Sequence, residues 1–348
     1  MKNLSLINKL LYFLNSISLF LLLLSYLSPY ISPMLFWPIS FIGLIFPLLY
    51  TINSLFLIYW LIGLKKPMLA NIIILSIGIG NISKYLGTSP NNNSLQENTK
   101  IISYNVRLFN KYNWLSEPNI QKKTFDFLKE ENADILCIQE FYTIDTIPNL
   151  NYLNRHIGPD NTKNKWHMAI YSKYPQINKK TISIKGEKMN NTCIYSDLII
   201  KKDTIRVYNI HLASNWFNSA DYSFIENPQK EKFKQSLIGI TKRMKNSYKK
   251  RAKEVNVIKK HIKKSPYPVI ICGDFNDTPM SYAYHSIKGN LIDAFRSSGK
   301  GFGVSFVKIP ALRIDYILHD AKLKSSNYKK YNKILSDHYA ISCEITIP

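Results

Sequence analysis

The stretch from Pro268 to Pro279, PVIICGDFNDTP, places a carboxylate and an amide directly after a short apolar run. The β-branched run at 269–272, between a proline and a glycine, predicts a buried strand that ends in a tight turn. Asp274 and Asn276 are two positions apart, so they point the same way if the extended geometry persists. Such a pair can bind a hydrated cation or a phosphoryl group, although an isolated D-x-N sequence is more often only an Asx turn.

Other polar side chains recur where predicted strands begin or end. They border the strands at 101–106, 134–140, 204–210 and 339–347, and they are Asn105, Glu140, His211, Asp337 and His338. Asp315 differs because it lies inside the apolar strand LRIDYIL, where a buried carboxylate requires a partner. Each of these residues alone is more often structural, but their recurrence predicts that the strand ends converge on one site.

The residue types at these strand ends indicate a metal-dependent reaction. Carboxylates and amides without cysteine select a hard cation, Mg²⁺ or Mn²⁺. Two histidines beside such an ion can act as a base and an acid, and this combination suits hydrolysis of a phosphate ester. The four cysteines lie in apolar runs without C-x-x-C spacing, which favours buried free thiols over a zinc site or disulfides.

The first 96 residues contain no Asp or Glu and carry long apolar runs, which predict a transmembrane anchor. We expect three helices, at 10–29, 38–64 and 68–86, with the second one kinked at Pro47. A polar linker at 87–99 would then lead to a mixed α/β domain at 100–348. Within that domain, helical spacing predicts helices at 118–132, 225–248 and 251–262, and residues 141–166 resemble a long polar loop.

Lysine placement gives an orientation for the anchor. Lys2, Lys9, Lys65 and Lys66 lie on one side of the predicted spans, so the positive-inside rule makes that side cytoplasmic. Three spans would place everything after residue 86 in a periplasm or outside the cell, as a multi-pass protein of a bacterial inner membrane. If the third run is re-entrant, the soluble domain is cytoplasmic instead.

The net charge of +23 includes only five lysines from the first 96 residues, so the remainder carries +18. A basic soluble domain suggests a polyanionic substrate or an anionic membrane surface. The joint richness in Lys, Asn, Ile and Tyr is equally explained by an AT-rich genome. We interpret the lysine-covered faces of the helices at 225–248 and 251–262 as solvated rather than as a dedicated binding surface.

The order of the motifs resembles the endonuclease/exonuclease/phosphatase superfamily, which includes deoxyribonuclease I. The resemblance runs from about residue 100 to the C-terminus, on SYNVR, ILCIQE, AIYSKYP, YNIHLAS, GDFNDTP, RIDYIL and SDHYAI. It implies an α/β (α+β) four-layer sandwich of two packed mixed β-sheets flanked by helices. The N-terminal transmembrane helical anchor is similar to that of membrane-anchored bacterial members.

The resemblance also implies roles for the residues that border the strands. Glu140 would be the principal metal ligand, with Asn105 and Asp337 close to the ion. Asp274 and Asn276 would hold and align the attacking water and the phosphoryl oxygen.

The two histidines would complete this site. His338 would either take the water's proton or hydrogen-bond the phosphoryl group, and Asp315 would accept from His338 and fix its tautomer. His211 would protonate the leaving oxygen, and its presence argues against the abasic-endonuclease branch.

The resemblance therefore implies in-line attack of water on a phosphodiester, in nucleic acid or a phospholipid head group. Two alternatives stay open at this point. One is a phosphomonoesterase acting on a soluble phosphoester. The other is a catalytically inactive, membrane-tethered binding module, which is disfavoured because Glu140, Asp274, Asp337 and His338 are all present.

Overall fold

The computed structural model describes residues 5–89, 98–142, 150–159, 165–182, 184, 193–215, 217, 219–226, 233–309 and 312–348. The chain forms two compact units, neither of them contiguous in sequence. The first comprises Met1–Ser83, Trp216–Ala252 and Asp277–His285, and the second comprises Lys84–Asn215, Lys253–Asn276 and Ser286–Pro348. The sequence suggested a contiguous anchor followed by a contiguous domain. The units differ from that division because two later segments pack with the N-terminal helices.

The first unit begins with five helices rich in apolar residues. They are α1 (Leu6–Leu27), α2 (Pro33–Phe36), α3 (Pro38–Leu44), α4 (Phe46–Ile62) and α5 (Pro67–Ile82). Proline stands in the first turn of each of the last four, where its missing N–H is not needed.

Among the described helices, α1 alone is long and apolar enough to cross a membrane by itself. Helices α3 and α4 reach that length only together and are bent by 60° at a break, and α5 is a shorter apolar helix. The break falls at Ile45, close to the kink expected at Pro47.

A buried cluster of amides joins α1, α4 and α5. Asn15 and Asn71 donate to each other, with Nδ2–Oδ1 distances of 3.1 and 2.8 Å. Asn15 also donates to Asn53 at 3.2 Å and accepts from Trp60 Nε1 at 2.9 Å. These polar groups satisfy one another inside an otherwise apolar bundle, so the cluster fixes how the three helices pack.

The same contacts give the directions of the helices. Asn15 of α1 meets Trp60 near the end of α4, whereas Tyr26 of α1 lies 6.0 Å, between ring centroids, from Phe46 at the start of α4. These helices are therefore antiparallel. Tyr26 Oη donates to the carbonyl of Ile74, further along α5 than Asn71, so α5 runs parallel to α1.

Helix α6 (Ile120–Glu131) belongs to the second unit, and two later helices follow it in the chain. They are α7 (Ser219–Glu226) and α8 (Phe233–Ile262). Helix α8 has 30 residues without a break, whereas the sequence predicted separate helices at 225–248 and 251–262. That prediction was wrong because residues 249–250 are lysines, which continue a helix readily.

The second unit is built on two six-stranded mixed sheets, as the sequence predicted. The first has the order β10–β12–β9–β8–β7–β6 and the second the order β13–β14–β2–β3–β5–β4. The strands of the first are β6 (Gln176–Thr181), β7 (Cys193–Ile200), β8 (Asp203–His211), β9 (Val269–Asp274), β10 (Ile292–Asp293) and β12 (Asp315–His319). Those of the second are β2 (Thr99–Asn105), β3 (Ile135–Tyr142), β4 (Asn154–Gly158), β5 (Trp166–Ser172), β13 (Lys324–Lys330) and β14 (Ile341–Thr346).

Within these sheets the strands pair in both senses. Strands β2 and β3 are parallel, as are β8 and β9, and the other pairs are antiparallel. Helices α9 (Tyr282–Lys288) and α10 (Ala294–Ser298) complete the described helices. A core rich in Ile, Leu, Val, Met and Cys side chains is formed by residues from both sheets. All four cysteines are buried and free, as expected.

Strands β1 (Leu86–Thr88), β4, β11 (Lys300–Phe302) and β13 were not expected from the sequence. Strand β4 falls inside the expected loop at 141–166, and β13 follows the predicted strand that contains Asp315. Strand β1, where the sequence suggested a helix end and linker, pairs with β11. Residues 90–97 of the predicted linker at 87–99 lie outside the described residues.

Gly273 allows β9 to pass close to β8. Its φ is +148°, and a Cβ at this position would lie 1.9 Å from the carbonyl oxygen of Ile210. We expect Gly273→Ala to lower the free energy of unfolding by about 3 kcal/mol or more. Thermal unfolding of the purified full chain in detergent measures this change. Gly80→Ala is the control, since no atom lies within 4 Å of its Cβ position, and an unchanged Tm for Gly273→Ala would contradict the prediction.

Candidate active site

Eight residues singled out in the sequence meet at one end of the sheets of the second unit. They are Asn105, Glu140, His211, Asp274, Asn276, Asp315, Asp337 and His338. Strands β2 and β3 are parallel in one sheet, and strands β8 and β9 are parallel in the other. The carboxyl ends of both pairs meet at this site. Strand β12 runs antiparallel to β9, so its first residue, Asp315, lies opposite Asp274.

Asp274 lies at the centre of this cluster and is fully buried. Asn105 Nδ2 donates to its Oδ2 at 3.0 Å, and Asn276 donates from its backbone at 2.7 Å and from its side chain at 3.1 Å. The Nε2 atoms of His338 and His211 lie 3.6 and 3.8 Å from the same carboxylate. Burial raises the pKa of Asp274, and His338 opposes that rise.

Asn276 both forms the Asx turn and belongs to the polar cluster, the two alternatives that the sequence left open for this residue. Its backbone N–H bonds the Asp274 carboxylate in an Asx-type turn, with a φ of +52°. Its side chain also donates to the carbonyl of Leu212, one residue after His211. The turn therefore ties the segment after β9 to the segment after β8.

Glu140 enters the site through a β-bulge. The register between β3 and β5 shifts between Ile138 and Phe141, and Glu140 has a φ of +50°. A bulge turns a side chain away from the regular alternation of a strand. Glu140 Oε1 accepts from Asn105 at 3.2 Å and lies 3.5 Å from His211 Nε2. Burial and the Asp337 carboxylate raise the pKa of Glu140.

His338 is buried and paired with a carboxylate. Its Nδ1 lies 2.9 Å from Asp315 Oδ2, and Asp315 is itself buried among apolar strand residues. Burial works against the charged imidazole, but the carboxylates of Asp315 and Asp274 outweigh it and raise the pKa of His338 to about 10. This ring is therefore a donor in the site at neutral pH.

His211 lies between Glu140 and Asp274 without a hydrogen bond. Within the described part of the chain neither of its buried ring nitrogens has a hydrogen-bond partner. Burial lowers the pKa of His211, although Asp274 opposes that effect. A buried polar atom without a partner is uncommon in proteins, so these nitrogens point to a missing ligand group.

The sequence analysis did not assign a role to Arg107, which also lies in this site. Its Nη1 lies 2.7 Å from Asp337 Oδ2, and its guanidinium stacks 4.1 Å from the centroid of the Trp114 ring. Arg107 and the three residues after it all have positive φ, which turns the chain sharply after Asn105. The only signal in the sequence was the position of Arg107 inside SYNVR.

A second residue missed from the sequence is Glu254 of α8. Its carboxylate accepts from the backbone N–H of Ala213 at 2.8 Å, two residues after His211. Glu254 is buried, and a carboxylate on the buried face of a lysine-rich helix was the available signal. It positions the segment that follows β8.

The donor set of the site fits a hard divalent cation. Glu140 and Asp337 offer carboxylate oxygens, the ligands that Mg²⁺ prefers. Asn105 turns its Nδ2 towards Glu140 while its Oδ1 accepts from the backbone N–H of Arg107, so its amide oxygen would need to exchange that bond to reach an ion. Ligand atoms of Asp274, Asp315 and His338 also lie within 4.8 Å of one another. That second group is the poorer fit because a protonated imidazole has no lone pair for a metal.

Comparison with known proteins agrees with this geometry. Residues 102–338 match the model of the Endonuclease/Exonuclease/phosphatase family. Residues 8–85 match a family described only as a domain of unknown function. The search of curated proteins found no match.

Solved structures share the fold of the second unit. The human Nocturnin catalytic domain with bound sulfate anion is 17% identical, over 72% of this chain and 95% of that one, with a TM-score of 0.53. D. rerio TDP2 complexed with a single-strand DNA product is 17% identical, over 72% and 100%, with a TM-score of 0.52. A functionally unknown conserved protein from Enterococcus faecalis V583 is 15% identical, over 71% and 99%, with a TM-score of 0.51.

At these identities the likeness to solved structures concerns the fold alone. The family model is the stronger finding, because it spans more than half of the chain and includes all eight residues of the cluster. This chain therefore belongs to the endonuclease/exonuclease/phosphatase family.

Proposed function

We propose that the protein is a membrane-anchored, metal-dependent phosphoesterase that hydrolyses a phosphodiester. The observation that carries this proposal is the cluster of eight polar residues centred on Asp274, with His338 paired to Asp315. Nε2 of His211 lies near the carboxylates of Glu140 and Asp274, and neither ring nitrogen has a hydrogen-bond partner among the described residues. The family's phosphoester chemistry is consistent with this arrangement.

The cation would be held by Glu140 with Asp337 and Asn105. When bound, Mg²⁺ or Mn²⁺ supplies positive charge against the charge that develops on the phosphoryl oxygens. Arg107 already neutralises Asp337 in part, at 2.7 Å, and holds it at the edge of the site.

Asp274 and Asn276 align the attacking water with the phosphoryl group. The Asp274 carboxylate accepts a proton of the water. The side-chain amide of Asn276 donates to the Oδ2 atom of that carboxylate. The pairing of His338 with Asp315 and its raised pKa favour hydrogen-bond donation to the phosphoryl group over proton abstraction.

His211 would serve the leaving oxygen. Burial disfavours its charged form, but the negative charge of a phosphoester bound beside it raises the pKa of the ring again. The protonated ring then supplies the proton that the leaving oxygen needs when the P–O bond breaks.

The alternating directions of α1, α4 and α5, with α4 antiparallel to the other two, support three membrane crossings. Lys9 and Lys65 lie at the same end of the bundle, which the positive-inside rule assigns to the cytoplasm. The end of α5 at Ile82 then lies on the opposite side, and so does the chain that follows it. Helix α5, with 16 residues, is about 24 Å long and requires a locally thinned bilayer.

A substrate panel tests the activity. The purified full chain in detergent is assayed with single-stranded DNA, sphingomyelin, a simple bis-ester, inositol phosphates and simple monoesters, in Mg²⁺ and in EDTA. We expect diester hydrolysis that requires Mg²⁺ and is lost in Asp274→Asn. Turnover of monoesters alone would favour a phosphomonoesterase, and no turnover of any ester would favour an inactive binding module.

Protease treatment of spheroplasts tests the orientation. We expect added protease to remove the chain after residue 86, because three crossings place it outside the inner membrane. A cytoplasmic marker protein that stays intact is the control for sealed cells. Protection of the C-terminal region would show instead that the third apolar helix does not cross.

A further inference from the structure

Helix α8 exposes apolar side chains at its N-terminal end, in the first unit. Phe233, Leu237 and Ile238 keep 47%, 47% and 58% of their surface accessible. Phe233 and Leu237 lie on the same face of the helix as Ile240 and Met244, which are buried, within about 60° when viewed along the axis. Phe233 also contacts Phe224, with a ring-centroid distance of 5.4 Å. The three exposed residues therefore form an apolar surface that extends the buried stripe towards the start of the helix, and Ile238 lies about a quarter-turn from Leu237 on its lysine-rich side.

Lysines flank this apolar surface. Lys234, Lys242 and Lys245 lie within one quarter-turn of Ile238 when the helix is viewed along its axis. The segment from 233 to 253 contains eight Lys or Arg residues and no Asp or Glu. A helix with this mixture of apolar and basic residues complements the interface of a bilayer, where apolar acyl chains lie beneath negatively charged head groups.

The same part of α8 packs against the segment that joins α1 to α4. Phe41 and Leu44 contact the cluster of Ile240, Met244 and Tyr248, and the Phe41 and Tyr248 ring centroids are 5.4 Å apart.

A tryptophan of this segment also lies close to one of these lysines. Lys245 Nζ lies 5.1 Å from the centroid of the Trp37 ring. The joining segment is at the end of the bundle away from Lys65, where the proposed anchor leaves the hydrocarbon core. Tryptophan is enriched at the interfaces of bilayers, so a Trp37 at this depth would place Lys245 among lipid head groups.

We propose that this basic-apolar surface of α8, formed by Phe233, Lys234, Leu237, Ile238, Lys242 and Lys245, lies in the membrane interface and binds anionic phospholipids. The apolar side chains enter the boundary between head groups and acyl chains, and the lysines contact lipid phosphates. The proposal rests on the proposed membrane anchoring, and it does not depend on hydrolysis.

Fluorescence quenching in nanodiscs tests the position of this surface. Ile238→Cys in the full chain is labelled with a small fluorophore, and the unsubstituted protein controls for labelling of its four buried cysteines. Phe13→Cys, on an exposed position of α1, reports on the anchor itself. Each sample is quenched with lipid that carries a shallow doxyl spin label and, separately, with aqueous iodide.

We expect doxyl lipid to quench the labels at 238 and 13 strongly and iodide to quench them weakly. Quenching at 238 by iodide alone, with lipid quenching at 13, would overturn the inference and leave the anchor intact. Protection of 238 from both quenchers would place a protein partner there and would also overturn it. No lipid quenching at 13 would disprove the anchor, and this inference with it.

The lysines are tested by the response to lipid charge. Replacing part of the phosphatidylcholine by phosphatidylglycerol is expected to increase doxyl quenching at 238. The combined change Lys234→Glu, Lys242→Glu and Lys245→Glu should abolish this increase. A variant with the same net charge, Lys202→Glu, Lys322→Glu and Lys324→Glu, should retain it, and an equal loss in both variants would overturn the role of the α8 lysines.

Discussion

His338→Ala is expected to lower kcat for Mg²⁺-dependent phosphodiester hydrolysis by a thousandfold or more, about 4 kcal/mol of barrier. The large effect follows from the position of the ring, which lies 3.6 Å from Asp274 and 2.9 Å from Asp315. Alanine removes the donor to the phosphoryl group and leaves Asp315 buried without its partner. Steady-state kinetics of the full chain on the best substrate of the panel measure the loss.

A matched histidine controls for general damage to the fold. His156 of β4 is half-buried and lies 3.1 Å from Ser196 Oγ, outside the cluster around Asp274. His156→Ala should keep kcat within a few-fold of the unsubstituted protein. Near-normal turnover by folded His338→Ala would refute the assignment of this residue.

Glu140→Gln is expected to weaken divalent-cation binding at least tenfold and to lower kcat a hundredfold or more, about 3 kcal/mol. The change keeps the shape of the side chain but removes its negative charge, which a hard cation requires from its ligands. Mn²⁺ titration of the full chain, followed by electron paramagnetic resonance, measures binding without any need for turnover.

Glu130 provides the control for this change. It is an exposed glutamate that pairs with Lys333 at 3.2 Å, and Glu130→Gln should leave Mn²⁺ binding as it was. Unchanged Mn²⁺ affinity in Glu140→Gln would mean that the cation is held elsewhere. The group of Asp274, Asp315 and His338 would then be the next candidate.

The composition of the site could be predicted because buried strands have a clear pattern. Short β-branched runs such as the one before Asp274 end abruptly in polar residues, and the recurrence of polar residues at the strand borders of one domain indicates a shared site. The direction in which the Glu140 side chain points could not be predicted. It depends on a one-residue bulge and a positive φ, which leave no periodic trace in the sequence.

The misjudged elements share a different cause. Strands β4 and β13 lie at the ends of their sheet and pair on one side only, so they need no continuous apolar run. Polar stretches such as NRHIG and KSSNYKK therefore resemble loops. The left-handed turn at Arg107 could not be predicted from the sequence for a related reason. The surrounding structure can hold residues of any type at a positive φ, so residue type gives no signal.

The amide cluster of Asn15, Asn53 and Asn71 bears on how such a chain is made. A nascent α1 that entered a bilayer alone would carry the Asn15 amide without protein partners, at a cost of several kcal/mol. Its partners follow 38 and 56 residues later in the chain. If the bundle is inserted in a membrane as proposed, its biogenesis would favour holding α1 at the insertion machinery until α5 has been synthesised. In that case a chain that ends before Asn71 would leave the Asn15 amide without one of its partners, as an incomplete bundle that membrane quality-control proteases can recognise.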